Sequence, residues 1–318
     1  MENKVNYKIM SMAGQGGSIF GLSLLELIKD IDSLMVLSSD MSTPAGLDKF
    51  KTAYPNHFMN MGIAEQNMIG TAAGLAQEGI KCVCVAQACF ITMRSFEQIR
   101  QYCGYMKLPL VIVGIGSGLS LQYMGNTHYA LEDIALMRTI PGMQVIAPCD
   151  AYEACIAFKE ALQSNQPTYI RLFGGTGVTP VHTSEVEFKI GKSIKLKNGQ
   201  DLQIIATGSM VSVSKMVADA LEEKGISAEV VDMHTIKPLD SNAVNSDCKC
   251  IFTIEEHFVT GGLGEEVATY LAEKGCACKL HRIGVNNSFS AVGDYSYLLS
   301  ENGLSKDKIV DLIINKLL

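Results

Sequence analysis

The sequence lacks the long uninterrupted runs that mark several classes of protein. No apolar run approaches the roughly 20 residues that a bilayer-spanning helix needs, and the first residues contain no apolar core of signal-peptide length. No long basic run is present and the net charge is -7, which does not suit a surface that binds nucleic acid. We therefore expect a cytoplasmic protein that binds neither membranes nor nucleic acids.

The composition is that of a globular chain with a large buried fraction. Hydrophobic residues make up 47% of the 318 residues, and charged residues make up 19%. A chain of this length is expected to form two domains, and a compact fold of this size hides about 75% of the surface that the unfolded chain exposes. The apolar excess predicts a large core or an extensive subunit interface.

The ten cysteines fit a reducing compartment, in which thiols stay unpaired. In a strand, two cysteines separated by one residue share a face, whereas zinc sites usually space their cysteines by two to four residues. We interpret such pairs as small apolar residues of buried strands and predict no metal ligand in this chain. The pairs are Cys82 and Cys84, Cys248 and Cys250, and Cys276 and Cys278.

Apolar runs of strand length alternate with segments of helical periodicity along most of the chain. Examples are the apolar runs at 81–88 and 108–115 and the helical patterns at 90–105 and 151–162. Alternation of this kind predicts parallel, doubly wound sheets. It stops between Gly174 and Gly199 and then resumes. We predict an α/β protein of two doubly wound domains, each with a mostly parallel sheet, at residues 1–180 and 199–318, joined by a linker at 181–198.

The stretch from Asn60 to Met68 organises the first domain. Gly62 supplies a turn after a short extended run, and Glu65 falls in the first turn of the helix that follows. Ligands of open α/β sheets bind at the carboxyl ends of the strands, so Glu65 is a candidate site residue, as is Asp40 after the apolar run at 33–38. Acidic residues also favour first helix turns for structural reasons alone, and spacing leaves both interpretations open.

The seven residues Gly-Ile-Ala-Glu-Gln-Asn-Met at 62–68 resemble, without a gap, the pyrimidine-domain motif of the transketolase family of thiamine diphosphate enzymes. Further segments resemble that family in the same order: Thr-His-x-x-x-Glu-Asp at 127–133, Tyr-Ile-Arg at 169–171, and C-terminal segments at 233–240 and 255–264. The resemblance covers nearly the whole chain. It is greatest to the C-terminal, or beta, subunit of a transketolase that is made of two chains.

The resemblance implies a transferase that moves a two-carbon ketol unit between sugar or sugar-phosphate substrates with thiamine diphosphate. A glutamate such as Glu65 would hydrogen-bond the pyrimidine ring, so that the cofactor's own aminopyrimidine acts as the base. Asp40 and Phe90 are implied to contact the pyrimidine end. His128 is implied to face the reacting oxygens of the donor, and Arg171 to bind a substrate phosphate. The structural alternatives are a turn aspartate for Asp40, a loop histidine for His128 and a surface ion pair for Arg171.

The sequence departs from the family where the acceptor sugar is recognised. Gly116 stands where the family usually has histidine, Met124 where it usually has aspartate, and Gln87 where phenylalanine is frequent. An arginine that usually precedes the first helix is missing from residues 10–14. Because Glu65 and His128 are retained, we expect ketol transfer to an acceptor other than an ordinary pentose phosphate, such as a branched or sulfonated sugar.

The Gly-Asp-Gly motif, with which the family's diphosphate half binds Mg²⁺ and the diphosphate, does not occur in the sequence. The resemblance therefore implies a separate alpha subunit that supplies the Mg²⁺ ligands, a site shared between the two chains, and an α2β2 assembly. Two alternatives stay open: a beta subunit of a 2-oxo-acid dehydrogenase, which shares this layout, and a non-catalytic partner of a complete transketolase.

Overall fold

The computed structural model describes residues 17–175 and 179–317. Its strands are β1 (Leu34–Ser38), β2 (Phe58–Asn60), β3 (Lys81–Gln87), β4 (Val111–Ile115), β5 (Gln144–Ile146), β6 (Thr168–Leu172), β7 (Ile194–Lys197), β8 (Leu202–Ala206), β9 (Ala228–Asp232), β10 (Thr235–Lys237), β11 (Cys250–Phe258) and β12 (Lys279–Val285). Its α-helices are α1 (Gly17–Leu27), α2 (Asp48–Ala53), α3 (Glu65–Gln77), α4 (Ala88–Met93), α5 (Phe96–Ile99), α6 (Asp133–Thr139), α7 (Ala151–Ser164), α8 (Met210–Glu222), α9 (Leu263–Lys274), α10 (Tyr295–Glu301) and α11 (Lys306–Leu317).

In the described part of the chain, the strands form two sheets. The first has seven strands in the order β10-β5-β6-β4-β3-β1-β2, and the second has five in the order β12-β11-β8-β9-β7. The central strands are parallel. Strands such as Val111–Ile115 are buried along their whole length, as expected where helices cover both faces of a sheet. The predicted fold class, α/β with two mostly parallel sheets, is confirmed.

Two short antiparallel strands tie the sheets and the linker together. The strand β10 comes from the C-terminal half of the chain but pairs with β5, where Thr235 lies opposite Ile146. The strand β7 lies within residues 181–198, which the sequence predicted as linker, and pairs with β9 of the second sheet. Both strands were missed because three or four residues carry too little periodicity to reveal a strand.

The helix predicted at 90–105 is broken in the structure. Helix α4 ends at Met93, α5 begins at Phe96, and a π-helical turn follows from Arg100 to Tyr105. The hydroxyls of Thr92 and Ser95 donate to the carbonyls of Ala88 and Ile91, four residues earlier. Such bonds to a helix's own backbone bend helices, and here they lie on either side of Arg94, where α4 ends.

Buried polar groups join the two domains at the end of β11. The backbone N–H of Leu119 donates to Glu256 Oε1 at 2.6 Å, and the Tyr295 hydroxyl donates to Glu256 Oε2 at 2.6 Å. The hydroxyl of Ser209 also donates to this carboxyl group. Burial raises the pKa of Glu256.

In the part of the chain that the structure describes, no helix has both the length and the apolar character to cross a membrane.

Candidate active site

Glu65 begins helix α3, and the backbone before it is held by neighbouring strand ends. The Ser39 hydroxyl donates to the Gly62 carbonyl at 2.9 Å and accepts from the Ala64 N–H at 3.1 Å. Gly62 has a φ of 69°, a conformation that glycine adopts without strain. The turn therefore places Glu65 at the carboxyl ends of β1 and β2, where the residue is only 5% exposed.

Asp40 lies at the same end of the sheet, directly after β1. Its backbone N–H donates to Asn60 Oδ1 at 3.1 Å, and its carboxylate accepts from Asn60 Nδ2 at 3.2 Å. Asn60 Oδ1 also accepts from the Gly62 N–H. Asp40 is exposed to solvent at the edge of the site. Its hydrogen bonds with Asn60 help to fix the turn that precedes Glu65, which supports the structural alternative of a turn aspartate.

Phe90 and His128 contact each other beside the start of α4. Their ring centroids are 5.2 Å apart with the planes at 63°, so the rings meet edge to face. Both residues are half-buried. The His128 Nδ1 lies 2.8 Å from the Thr127 hydroxyl, which orients the imidazole. Two hydrogen bonds between Asn126 and Ser290 tie this loop to the C-terminal domain.

Arg94 connects the acidic and aromatic parts of the site. Its guanidinium donates to Glu65 Oε1 at 2.9 Å, and its central carbon lies 3.7 Å from the centre of the Phe90 ring. The Gln66 side chain also donates to the Arg94 carbonyl. The arginine is about half exposed at its side chain, 45%, whereas the glutamate is buried. Glu65, Arg94, Phe90 and His128 therefore form one continuous cluster.

The cluster has the groups that a planar, nitrogen-containing ring requires. Phe90 offers an aromatic face for stacking, Glu65 offers a buried carboxyl group for a ring nitrogen, and His128 offers an imidazole that can donate or accept a hydrogen bond. These residues fit the pyrimidine end of thiamine diphosphate. One face of Phe90 is covered by the Arg94 guanidinium in this structure, so a ring that stacks on that face requires this arginine to move.

Arg171 lies elsewhere, in the buried junction between the domains. Its Nε donates to Asp133 Oδ2 at 2.8 Å, and its Nη2 donates to the carbonyls of Ala130 and Glu256 at 3.0 and 2.8 Å. The residue is 4% exposed. Because these acceptors lie inside the protein, the arrangement matches neither an arginine that binds a substrate phosphate nor one that forms an ion pair at the surface. The geometry favours a structural role for Arg171 at the domain junction, and its role in binding a substrate phosphate stays a prediction.

The C-terminal motif residues also make internal contacts. Glu255 accepts from the N–H groups of Leu263 and Gly264 at 2.7 and 2.8 Å and so caps helix α9, while burial raises the pKa of this carboxyl group to about 7. The Lys237 ammonium donates to the carbonyls of Arg138 and Ile140. Such contacts indicate structural rather than catalytic roles for these residues.

Comparison with known proteins assigns a family to this architecture. Residues 16–173 match the transketolase pyrimidine binding domain, and residues 191–309 match the transketolase C-terminal domain. The chain belongs to the transketolase family. This result confirms the family that the motifs at 62–68 and 127–133 indicated.

The chain resembles several transketolase subunits over nearly its whole length. It is 36% identical over 290 residues to 6-deoxy-6-sulfo-D-fructose transketolase subunit SqwH of Clostridium sp. (strain MSTE9), covering 90% of this chain and 89% of the relative. It is 35% identical over 291 residues to a subunit of the apulose-4-phosphate transketolase of Phocaeicola vulgatus, covering 90% and 92%. A solved structure of a split gene transketolase, an inactive beta4 tetramer, aligns with a TM-score of 0.85 and 36% identity over 95% of this chain and 98% of that chain.

Sequence reasoning missed Arg94 in this transketolase pyrimidine domain. The arginine lay inside the single helix predicted at 90–105, where nothing distinguished it from a solvent-exposed cation. The available signal was the pair of hydroxyl residues, Thr92 and Ser95, that flank it and bend the chain. The arginine that the family has before its first helix would fall at residues 10–14, which lie outside the described residues.

Proposed function

We propose that this chain is the beta subunit of a split transketolase that depends on thiamine diphosphate and transfers a two-carbon ketol unit between sugar substrates. The observation that carries the proposal is the cluster of Glu65, Phe90 and His128 at the strand ends of a transketolase pyrimidine domain. Relatives named as transketolase subunits at 36% and 35% identity support the same reaction class.

When bound, thiamine diphosphate would supply the nucleophilic carbon that the two-carbon unit joins. Glu65 would hold a hydrogen bond to the pyrimidine ring, and its burial would keep water from competing for that bond. Phe90 would orient the ring by stacking against it. His128, held at Nδ1 by Thr127, would present its other nitrogen to the oxygens of the sugar and move a proton there.

The outer face of helix α3 supports a site shared with a second chain. A Cβ added at Gly70 or Gly74 would meet no atom within 4 Å, so the chain's own packing does not require glycine there. Ala72 and Ala73, by contrast, are buried against the protein's own core. Glycine costs a helix about 1 kcal/mol relative to alanine. Close approach of a partner chain to this face explains why the cost is tolerated.

Exposed apolar side chains lie beside the candidate site on both chain segments that build it. Ile63, two residues before Glu65, is 76% exposed, and Met93, next to Arg94, is 41% exposed. A partner surface that covers these side chains would also complete the site. We propose that this partner is the alpha subunit, that it carries the Mg²⁺ and diphosphate ligands, and that the two chains form an α2β2 assembly in the cytoplasm.

The loop after β4 supports an acceptor other than an ordinary pentose phosphate. Gly116 has a φ of 84°, and a Cβ built on it would lie 2.8 Å from the Leu121 side chain. The histidine usual in the family would therefore strain the backbone at this position and require the Leu121 side chain to move. The names of the relatives specify different sugars, 6-deoxy-6-sulfo-D-fructose and apulose 4-phosphate. These two sugars are the first acceptors or donors to assay.

Replacement of the glutamate tests the proposal in the enzyme reconstituted with its alpha subunit. We expect Glu65→Gln to lower the ketol-transfer rate by about 100-fold or more, the range lost with an acid–base group. Glu78→Gln, at the other end of helix α3 and exposed to solvent, is the matched control and should keep full activity. Unchanged activity of Glu65→Gln would revive the non-catalytic alternative.

A substrate comparison tests the acceptor separately. The reconstituted enzyme should use ribose 5-phosphate with xylulose 5-phosphate far more slowly than its best sugar pair. A full transketolase rate with those pentose phosphates would contradict the proposal on the acceptor while leaving ketol transfer intact. Release of carbon dioxide from a 2-oxo acid, dependent on a lipoyl domain, would instead support the 2-oxo-acid dehydrogenase alternative.

A further inference from the structure

Four different metal-binding side chains converge in the buried junction between the two domains. Cys149 follows β5, Glu153 lies in the first turn of α7, His182 lies in the linker, and Asp232 ends β9. One donor atom from each lies within 4.8 Å of the others, and all four residues are buried. We propose that these four side chains bind a zinc ion that links the two domains.

The three distances from His182 Nε2 to the other donor atoms match the edges of a zinc tetrahedron. The His182 Nε2 lies 3.4 Å from Cys149 Sγ, 3.6 Å from Glu153 Oε1 and 3.7 Å from Asp232 Oδ2. Ligands about 2.0 to 2.3 Å from zinc lie about 3.3 to 3.8 Å from one another in tetrahedral geometry. Charge-assisted hydrogen bonds between nitrogen and oxygen are shorter, about 2.7 to 2.9 Å. The spacing thus suits a shared ion better than direct pairing.

The carboxylate oxygens that face this centre have no other partner. Among the described residues, neither oxygen of Asp232 accepts a hydrogen bond, and neither does Glu153 Oε1. Both residues are 0% exposed. A buried carboxylate oxygen without a partner is costly unless it is paired or binds a metal. An imidazole N–H can donate only one hydrogen bond, so His182 Nε2 cannot serve all of its neighbours, whereas one zinc ion can.

A second layer of hydrogen bonds holds the ligands in place, as is usual at metal sites. The Cys149 N–H donates to Glu153 Oε2 at 2.6 Å, which leaves Oε1 directed at the centre. Asp150 accepts from the N–H groups of Glu153, Val181 and His182 at 2.9, 2.9 and 3.0 Å. Asp150 therefore joins the start of helix α7 to the linker and helps to position three of the four ligands.

The mixture of donors selects the metal. One thiolate, one imidazole and two carboxylates with no position left for substrate form a closed, structural zinc site, because zinc accepts sulfur, nitrogen and oxygen ligands in a tetrahedron.

Metal content and a cobalt spectrum of the full chain test the proposal. After equilibration with zinc and dialysis, the wild-type chain should retain one zinc ion, and a chelator that removes it should lower the melting temperature. Cobalt-loaded wild-type protein should show a thiolate-to-cobalt charge-transfer band.

Two serine variants decide which cysteine binds the metal. Cys149→Ser should lose the zinc and the charge-transfer band. Cys278→Ser is the matched control, because Cys278 is a half-buried free cysteine that does not belong to the cluster of four side chains; it should keep both. Loss in Cys278→Ser but not in Cys149→Ser would overturn the proposal. So would a wild-type chain that retains no zinc, or cobalt-loaded protein without a thiolate band, irrespective of whether a variant folds.

Discussion

At the scale of single residues, the candidate site depends on which group covers the Phe90 ring. The Arg94 guanidinium lies 3.7 Å from the ring centre, which is van der Waals contact. A pyrimidine ring that stacks on the same face would need the same space. The arginine is also paired with Glu65, so one movement of Arg94 would free both the aromatic face and the carboxyl group.

Removal of this arginine should strengthen cofactor binding. The exposed cation–π contact and the partly exposed ion pair are each worth about 0.5 to 1 kcal/mol, and about 1.4 kcal/mol corresponds to a tenfold change in affinity. We expect Arg94→Ala to tighten thiamine diphosphate binding by the reconstituted enzyme about tenfold, measured by calorimetry. Arg100→Ala, at an exposed arginine of the π-helical turn, is the control. Weaker binding by Arg94→Ala would show instead that Arg94 positions Glu65 for the cofactor.

His257 makes the folded state sensitive to acid. Its Nδ1 lies 2.7 Å from the Phe258 carbonyl, and its Nε2 lies 3.3 Å from the Ala135 N–H, so the buried ring is neutral with Nε2 as an acceptor. Burial lowers its pKa from 6.5 to about 4. As pH falls below 6.5, the unfolded state takes up the proton first. The stability that this histidine contributes is present above pH 6.5 and is lost as pH falls through about 4.

Protonation of His257 should lower the free energy of unfolding by about 3 kcal/mol over this pH range, since one pKa unit corresponds to about 1.4 kcal/mol. Denaturant unfolding of wild type and His257→Gln measures this change between about pH 7 and about pH 4, a range that spans the pKa of the histidine in the unfolded and in the folded state. The free energies of unfolding of the two proteins should converge as the pH falls. A constant difference over this range would contradict the assignment.

The sequence contained most of the candidate site but not its geometry. Glu65 and His128 could be found because the motifs around them are contiguous. Arg94 could not, since its contact with Glu65 is made at a helix break that the periodicity of residues 90–105 did not reveal. The polar set of Cys149, His182 and Asp232 was invisible for a different reason: its members meet only because the linker and β9 pack against α7.

At the scale of elements, helix α3 has two faces with different requirements. Met68, Ile69 and Ala72 are fully buried, whereas Gly70 and Gly74 point away from that core into open space. The inner face is fixed by the protein's own packing. The outer face is where the proposed alpha subunit would approach.

Two substitutions at Gly74 separate folding from assembly. Gly74→Ala should stabilise the chain alone by about 1 kcal/mol, because alanine favours the helix and its Cβ has room. Gly74→Leu should weaken association with the alpha subunit at least tenfold, if about 1.4 kcal/mol of close packing is lost. Thr269→Leu, an exposed position in helix α9, is the control. Unchanged association of Gly74→Leu would place the partner on another surface.

Strands with long apolar runs were predictable from the sequence, and short strands were not. The run at 111–115 is buried along its whole length, so its composition reveals it. The strands at 194–197 and 235–237 are half polar and gain their hydrogen bonds from β9 and β5. Their existence depends on partners distant in sequence, which local periodicity does not report.

At the scale of the whole molecule, Arg171 connects the domains through Asp133 and the Glu256 carbonyl. Arg171→Met should lower the free energy of unfolding by about 3 to 5 kcal/mol, because it leaves a buried carboxylate unpaired. Denaturant unfolding measures this, with Arg100→Met as the exposed control. A variant of normal stability whose KM for a phosphorylated sugar is raised would contradict the structural role and favour substrate binding.

The central claim is that this chain holds only the pyrimidine end of a cofactor site that a second chain completes. Calorimetric titration of thiamine diphosphate with Mg²⁺ tests it most directly, first with this chain alone and then with its alpha subunit added. We expect binding only in the mixture. Tight binding to this chain alone would contradict the claim, because a complete cofactor site would then lie within these 318 residues.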